Sequence, residues 1–143
     1  MIIHRDAEPQ SDAEKAVVGF LDDWGPGRWP HMRDCYDRWM TDGVSWENTG
    51  SPATLGKQAA MDFLTTLHDT LDMEYCTAEL LNIASRGTTV LTERIDRVHT
   101  ADGSVAIEIP IMGTFVVTDG KIARYADYNA DSPIRERFPR HHH

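Results

Sequence analysis

Apolar positions along this chain switch from helical spacing to strict alternation about half-way through. Ala13, Val17, Phe20, Leu21 and Trp24 predict a helix over 11–24, capped by Ser11 or Asp12 and broken by Gly25-Pro26-Gly27. A second helix is expected from Pro30, a residue tolerated in the first turn, with Met32, Cys35, Tyr36 and Trp39 on one side. A short strand over 44–48 and a loop with Gly50, Pro52 and Gly56 lead to a third helix that buries Ala60, Phe63, Leu64, Leu67 and Leu71. The period then falls to two, predicting strands over 74–84, 88–100, 104–118 and 121–129. Arg86-Gly87, Asp102-Gly103 and Asp119-Gly120 mark the hairpin turns between them. Pro110 cannot donate to a ladder, so a bulge or bend is expected there. Residues 132–138 predict a short terminal helix. Helices followed by an antiparallel meander form an α+β pattern, with one sheet curled around the helices and a pocket between them.

The length of 143 residues suits a single domain over 1–143 with a substantial core. Residues 1–10 are expected to be a flexible N-terminus and 139–143 a tail. His141-His142-His143 has the form of an expression-tag remnant and is left out of functional reasoning. A net charge of −9 argues against a nucleic-acid partner, which clustered Lys and Arg would require. No apolar run approaches the roughly 20 residues that span a bilayer, and Met1–Gln10 lacks the apolar segment of a signal peptide. No membrane association and a cytoplasmic location are therefore expected. Cys35 and Cys76 have no motif spacing and are read as reduced and structural. His4, His31, His68 and His99 form no metal-ligand spacing.

Val90, Thr92, Arg94, Asp96 and Val98 share one face of a predicted strand. That face carries an arginine and a carboxylate in a mostly apolar row. Burying charges costs several kcal/mol unless they are well partnered, so an ion pair in such a row suggests use. A second carboxylate, Asp127, stands in another strand-like run. Two carboxylates sharing one arginine can perform acid–base chemistry. An Arg-x-Asp pair alone is more often a solvated ion pair.

Four segments, in this order and spacing, resemble the limonene-1,2-epoxide hydrolase family within the NTF2-like (SnoaL-like) cone fold. They are Trp46-Glu47-Asn48, Thr92-Glu93-Arg94-Ile95-Asp96, Ile109-Pro110-Ile111-Met112-Gly113-Thr114-Phe115, and Asp119-Gly120-Lys121-Ile122 leading to Ala126-Asp127-Tyr128. The resemblance implies a curved mixed or antiparallel sheet wrapped around three N-terminal helices. It also implies one-step hydrolysis of a small, largely apolar epoxide without a covalent intermediate, and a homodimer formed through the open sheet face. Carried over residue by residue, Asp127 resembles the base, Asn48 the water holder, Asp96 the acid and Arg94 the bridge. Trp46 stands where the family has a tyrosine; indole donates one hydrogen bond and accepts none. The run Tyr125-Ala126-Asp127-Tyr128-Asn129-Ala130 places Asn129 where a pocket phenylalanine is familiar, which implies a more polar pocket end. Met32, Leu67, Leu71, Val98, Ile109, Ile111 and Asn129 are the expected substrate-lining residues.

Epoxide opening by water needs one group to accept a proton and another to donate one. An unperturbed aspartate titrates near pH 4 and keeps too little proton to donate, but burial and a neighbouring like charge raise that value. The expectation is that Asp96 and Asp127 hold one proton between them beside Arg94, with no metal and no organic cofactor. Two rivals stand beside this reading. One is a ketosteroid-isomerase-like or polyketide-cyclase-like proton-transfer enzyme, which would want a donor pair at an oxyanion instead of an arginine bridge. The other is a non-catalytic binding module on the same fold.

Overall fold

The computed structural model describes residues 1–129. The expected helix over 132–138 and the tail over 139–143 lie outside the described residues. Three helices, α1 (Asp12–Asp22), α2 (Trp29–Trp39) and α3 (Lys57–Leu71), pack on one seven-stranded sheet. Its strands are β1 (Ile2–Ile3), β2 (Met40–Asn48), β3 (Thr54–Leu55), β4 (Tyr75–Arg86), β5 (Thr89–His99), β6 (Val105–Thr118) and β7 (Lys121–Asn129). They lie in the order β1-β4-β5-β6-β7-β2-β3. The β1/β4 and β2/β7 pairs are parallel and the rest antiparallel, so the sheet is mixed and the α+β expectation holds.

Local chemistry sets the element ends. The Ser11 hydroxyl accepts from the Glu14 backbone N–H at 3.1 Å, and the Glu14 carboxylate accepts from the Gln10 N–H at 3.0 Å. Together they satisfy N–H groups that open α1. Asp72, in the left-handed region at φ 53°, ends α3. Gly87, Gly103 and Gly120 take positive φ at the three hairpin turns.

Three expectations are corrected. Residues 1–10, expected to be a flexible lead, supply β1 and a 3₁₀ turn at Arg5–Ala7, with Ala7 fully buried. β1 covers an edge of β4 that would otherwise present unpaired backbone groups, and the His4 N–H continues the pairing to the Leu80 carbonyl at 3.0 Å. The strand expected over 44–48 begins at Met40, directly after α2. Pro110 makes no bulge: it lies opposite Ile95 in unbroken register. β7 reaches only as far as Ile111 on the other edge of β6, so among the described residues no strand there asks residue 110 for an N–H. The register shifts instead between Leu80 and Asn82, between Val98 and His99, and between Val116 and Val117.

The core lies between helices and sheet. Phe20 of α1 meets the rings of Trp24, Tyr36, Phe115 and Tyr125 edge-on at centroid distances from 5.1 to 6.4 Å. Cys35 and Cys76 are buried and unbridged. No helix among the described residues is long and apolar enough to cross a membrane.

Candidate active site

Strand register assembles the site. Thr92 of β5 lies opposite Gly113 of β6, Gly113 opposite Asp127 of β7, and Asp127 beside Asn48 of β2. One rung therefore carries a hydroxyl, a gap, a carboxylate and an amide across four strands. A neighbouring rung carries Phe115, Tyr125 and Trp46. Their rings stack in sequence, at 5.0 Å and 15° and then 5.3 Å and 6°. This aromatic wall fixes the strands that hold the polar rung.

The alternating row of β5 faces inward as its period predicts, with Val90, Thr92, Arg94, Asp96 and Val98 all buried. Arg94 is 1% exposed, Asp96 6% and Asp127 4%. Arg94 donates to Asp96 through Nε at 2.9 Å and Nη2 at 3.1 Å, and to Asp127 Oδ2 through Nη2 at 2.6 Å. Its Nη1 donates to the Thr92 hydroxyl at 3.1 Å, and that hydroxyl donates to the Gly113 carbonyl at 3.2 Å. Phe115, Trp24 and Tyr125 lie 5.6, 5.9 and 6.0 Å from its Cζ. The guanidinium is thus buried with partners on every side.

Gly113 makes that arrangement possible. A Cβ there would stand 2.2 Å from Arg94 Nη1 and 2.7 Å from Asp127 Oδ1. Only a residue without a side chain lets the arginine cross the rung to the second carboxylate.

Burial pushes the Asp96 carboxyl up to about 6. Arg94 opposes the shift and the Asp127 charge adds to it. The two-point contact with Arg94 favours an ionised Asp96, but desolvation outweighs it. Burial also disfavours the charge on Arg94; the two carboxylates overcome this and hold it cationic.

Asp96 and Asp127 open onto one cavity of about 200 Å³ between helices and sheet. Every expected site residue except Arg94 lines it: Asn48 and Trp46 from β2, Met32 from α2, Leu67 and Leu71 from α3, Val98 from β5, Ile109 and Ile111 from β6, and Asn129 from β7. Arg94 sits behind the carboxylates it bridges. Three buried polar atoms here have no hydrogen-bond partner among the described residues: Asp127 Oδ1, Trp46 Nε1 and Trp24 Nε1. Natural interiors rarely leave such atoms unpaired, so each calls for a cause. His68 is half-buried and stacked on Trp29 at 4.0 Å, outside the cavity wall.

Sequence reasoning missed Gly113, Trp24 and the anchoring role of Thr92. A glycine inside an alternating strand was the available signal for the first, because it marks a close approach. Trp24 carried none, since helical spacing reads indole as an apolar surface.

Residues 31–138 match the limonene-1,2-epoxide hydrolase catalytic domain family. The chain belongs to that family. Among solved structures, an M. tuberculosis epoxide hydrolase of this type shares 24% identity over 82% of each chain, with a TM-score of 0.64. A candidate SnoaL-like polyketide cyclase from Jannaschia sp. CCS1 shares 16% over 89% of this chain and 92% of its own, at 0.65. An NTF2-like protein of unknown function from Burkholderia pseudomallei K96243 shares 10% over 84% and 92%, at 0.66. At these identities the likeness establishes the fold, an open NTF2-like cone. No curated protein matches the chain.

Two outcomes follow for this epoxide-hydrolase-family chain. Gly113→Ala is expected to separate Arg94 from Asp127 and to lower stability by about 1–3 kcal/mol, read from the denaturant midpoint. An unchanged midpoint would show that the arginine does not need this gap. The second concerns pH. The folded protein keeps the Asp96 proton up to about 6, whereas the ordinary value is 3.8. Folding therefore takes up a proton between those values, and the stability linked to Asp96 is lost as pH rises through that window. Asp96→Asn is expected to flatten that slope in unfolding measurements from about pH 4 to pH 7; an identical slope in the variant would contradict it.

Proposed function

We propose that this protein is an epoxide hydrolase that adds water to a small, largely apolar epoxide in one step and releases a vicinal diol. The observation that carries this reading is one guanidinium spanning two buried carboxylates beside a cavity. One carboxyl, Asp96, keeps its proton towards neutral pH, and the other, Asp127, has a buried oxygen without a hydrogen-bond partner among the described residues.

Asp127 Oδ1 and the Asn48 carbonyl oxygen accept the two hydrogens of the attacking water. The Trp46 N–H donates to the water oxygen, leaving a lone pair for attack. A single donor suffices there, so indole can stand in place of a phenol. As the new C–O bond forms and the epoxide C–O bond breaks, Asp127 takes the water proton and Asp96 gives its own to the departing oxygen. Arg94 faces one carboxylate and one carboxylic acid before and after the step, so the buried charge stays balanced throughout. Proton transfers of this kind contribute ~10²–10⁴ in rate, and positioning adds more. An isomerase-like or cyclase-like proton transfer would have left Asp96 free of the arginine and beside an oxyanion donor; contact of Arg94 with both carboxylates supports hydrolysis instead.

A second copy of the chain is the proposed macromolecular partner. On the outward sheet face Leu91, Met112 and Tyr128 stand at least half-exposed, and Leu81, Ile95 and Pro110 border a shallow hollow.

Single turnover in ¹⁸O-labelled water tests the chemistry. Label is expected in the diol and not in the protein, and Asp127→Asn is expected to slow diol formation by at least ~10²-fold while remaining folded. Label in a protein carboxylate, or no turnover of any epoxide, would overturn the reading. For the assembly, the wild type is expected to sediment as a dimer and Met112→Glu as a monomer; a monomeric wild type would refute the pairing.

A further inference from the structure

The cavity wall holds a buried donor, without a partner among the described residues, that the proposed reaction does not employ. Trp24 is 2% exposed and lines the same cavity as Asp96 and Asp127. Its ring is held in place: Phe20 meets it edge-on at 5.6 Å, Tyr36 lies near-parallel at 6.3 Å, and the Arg94 Cζ stands 5.9 Å away. Its indole N–H has no acceptor among the described residues. A buried N–H left unpaired forfeits the full cost of its desolvation, so an acceptor supplied by the cavity's occupant would recover it.

A hydrocarbon epoxide leaves this group without an oxygen of its own. It brings one acceptor, the ring oxygen, and Asp96 is the donor for that oxygen. The hydrolytic water is served by Trp46. Thr49, Ser51 and Asn129 place further polar groups along the same, largely apolar, space. At about 200 Å³ the cavity is smaller than the roughly 300–1,000 Å³ of drug-sized sites, so a second substrate oxygen has few places to lie.

We infer that the substrate is an oxygenated epoxide, carrying a hydroxyl or carbonyl within a few bonds of the epoxide ring, and that the Trp24 N–H donates to that second oxygen. This rests on the hydrolase reading for the epoxide, though not for the oxygen contact. Trp24 is thereby a specificity-determining residue. A site built around a buried donor discriminates against analogues that lack the matching acceptor.

Two measurements test it. In the first, cyclohexene oxide and its hydroxylated analogue epoxycyclohexanol are compared as substrates. The wild type is expected to favour the hydroxylated compound in kcat/KM. Trp24→Phe, which keeps an aromatic ring and removes the N–H, is expected to lower the ratio of the two kcat/KM values, hydroxylated over unsubstituted, about tenfold, whatever common loss the smaller ring imposes on both substrates. Equal losses on both substrates would mean that Trp24 serves the epoxide oxygen or the packing, and would overturn the inference. So would a wild type with no preference. The second measurement uses wild-type protein with ¹⁵N-labelled tryptophan and non-reacting probes, and requires neither turnover nor a folded variant. Cyclohexanone is expected to move one indole N–H resonance, and cyclohexane at equal occupancy to leave it in place. Identical responses to both probes would refute the oxygen contact. Failure to hydrolyse any epoxide with a selective ketone response would instead refute the reaction and leave the contact standing.

Discussion

Everything at the centre of this protein depends on keeping the charge of Arg94 out of water. Its guanidinium is nearly inaccessible, and it can remain there because its donors meet Asp96, Asp127 and the Thr92 hydroxyl. Removing either carboxylate would leave a buried charge short of its partner, which is far costlier than losing a surface ion pair. The surrounding architecture answers this constraint. β5 supplies the arginine, one acid and the hydroxyl from a single face; β6 withholds a side chain at Gly113; β7 brings the second acid. The aromatic rung beside them excludes solvent while offering the cation ring faces.

The same constraint divides the two aspartates. Both touch one arginine, yet their remaining surroundings differ. Asp96 has both oxygens on the guanidinium, and desolvation still favours its proton. Asp127 places one oxygen on Arg94, and its other oxygen has no hydrogen-bond partner among the described residues. Identical side chains thus acquire opposite proton roles in the proposed reaction through position alone. The apolar wall contributed by α2, α3, β5 and β6 strengthens both interactions by lowering the local dielectric constant.

Some of this was legible in the chain and some was not. The alternation of Val90, Thr92, Arg94, Asp96 and Val98 states directly that the arginine and one acid face the core, because strand period is a local property. The pairing of Asp127 with that row depended on register between separate strands, which no local period states; the residue types raised it and the likeness to a family supported it. Gly113 could have been flagged as a close approach, but nothing local names what approaches. Pro110 misled because its tolerance depends on how far β7 extends along the other edge of β6. The two residues of β1 are too few to show any period. Trp24 was hidden by its own spacing, since the pattern that buries an indole ignores its N–H.

The parallel pairing of β2 with β7 has one more consequence. Thr49 reaches the Asp127 carbonyl across 78 residues of sequence. Such long-range closure carries a high entropic cost and comes late in folding. The β5–β6 hairpin can form early, bringing Arg94 and Asp96 together as an inert pair. Asp127 reaches that pair through the equally local β6–β7 hairpin, whereas Asn48 meets Asp127 only through the parallel β2–β7 pairing. The polar rung across four strands is therefore whole only once the two halves of the chain have met, so its outermost member, the Asn48 amide, is the part of the site most dependent on the complete fold.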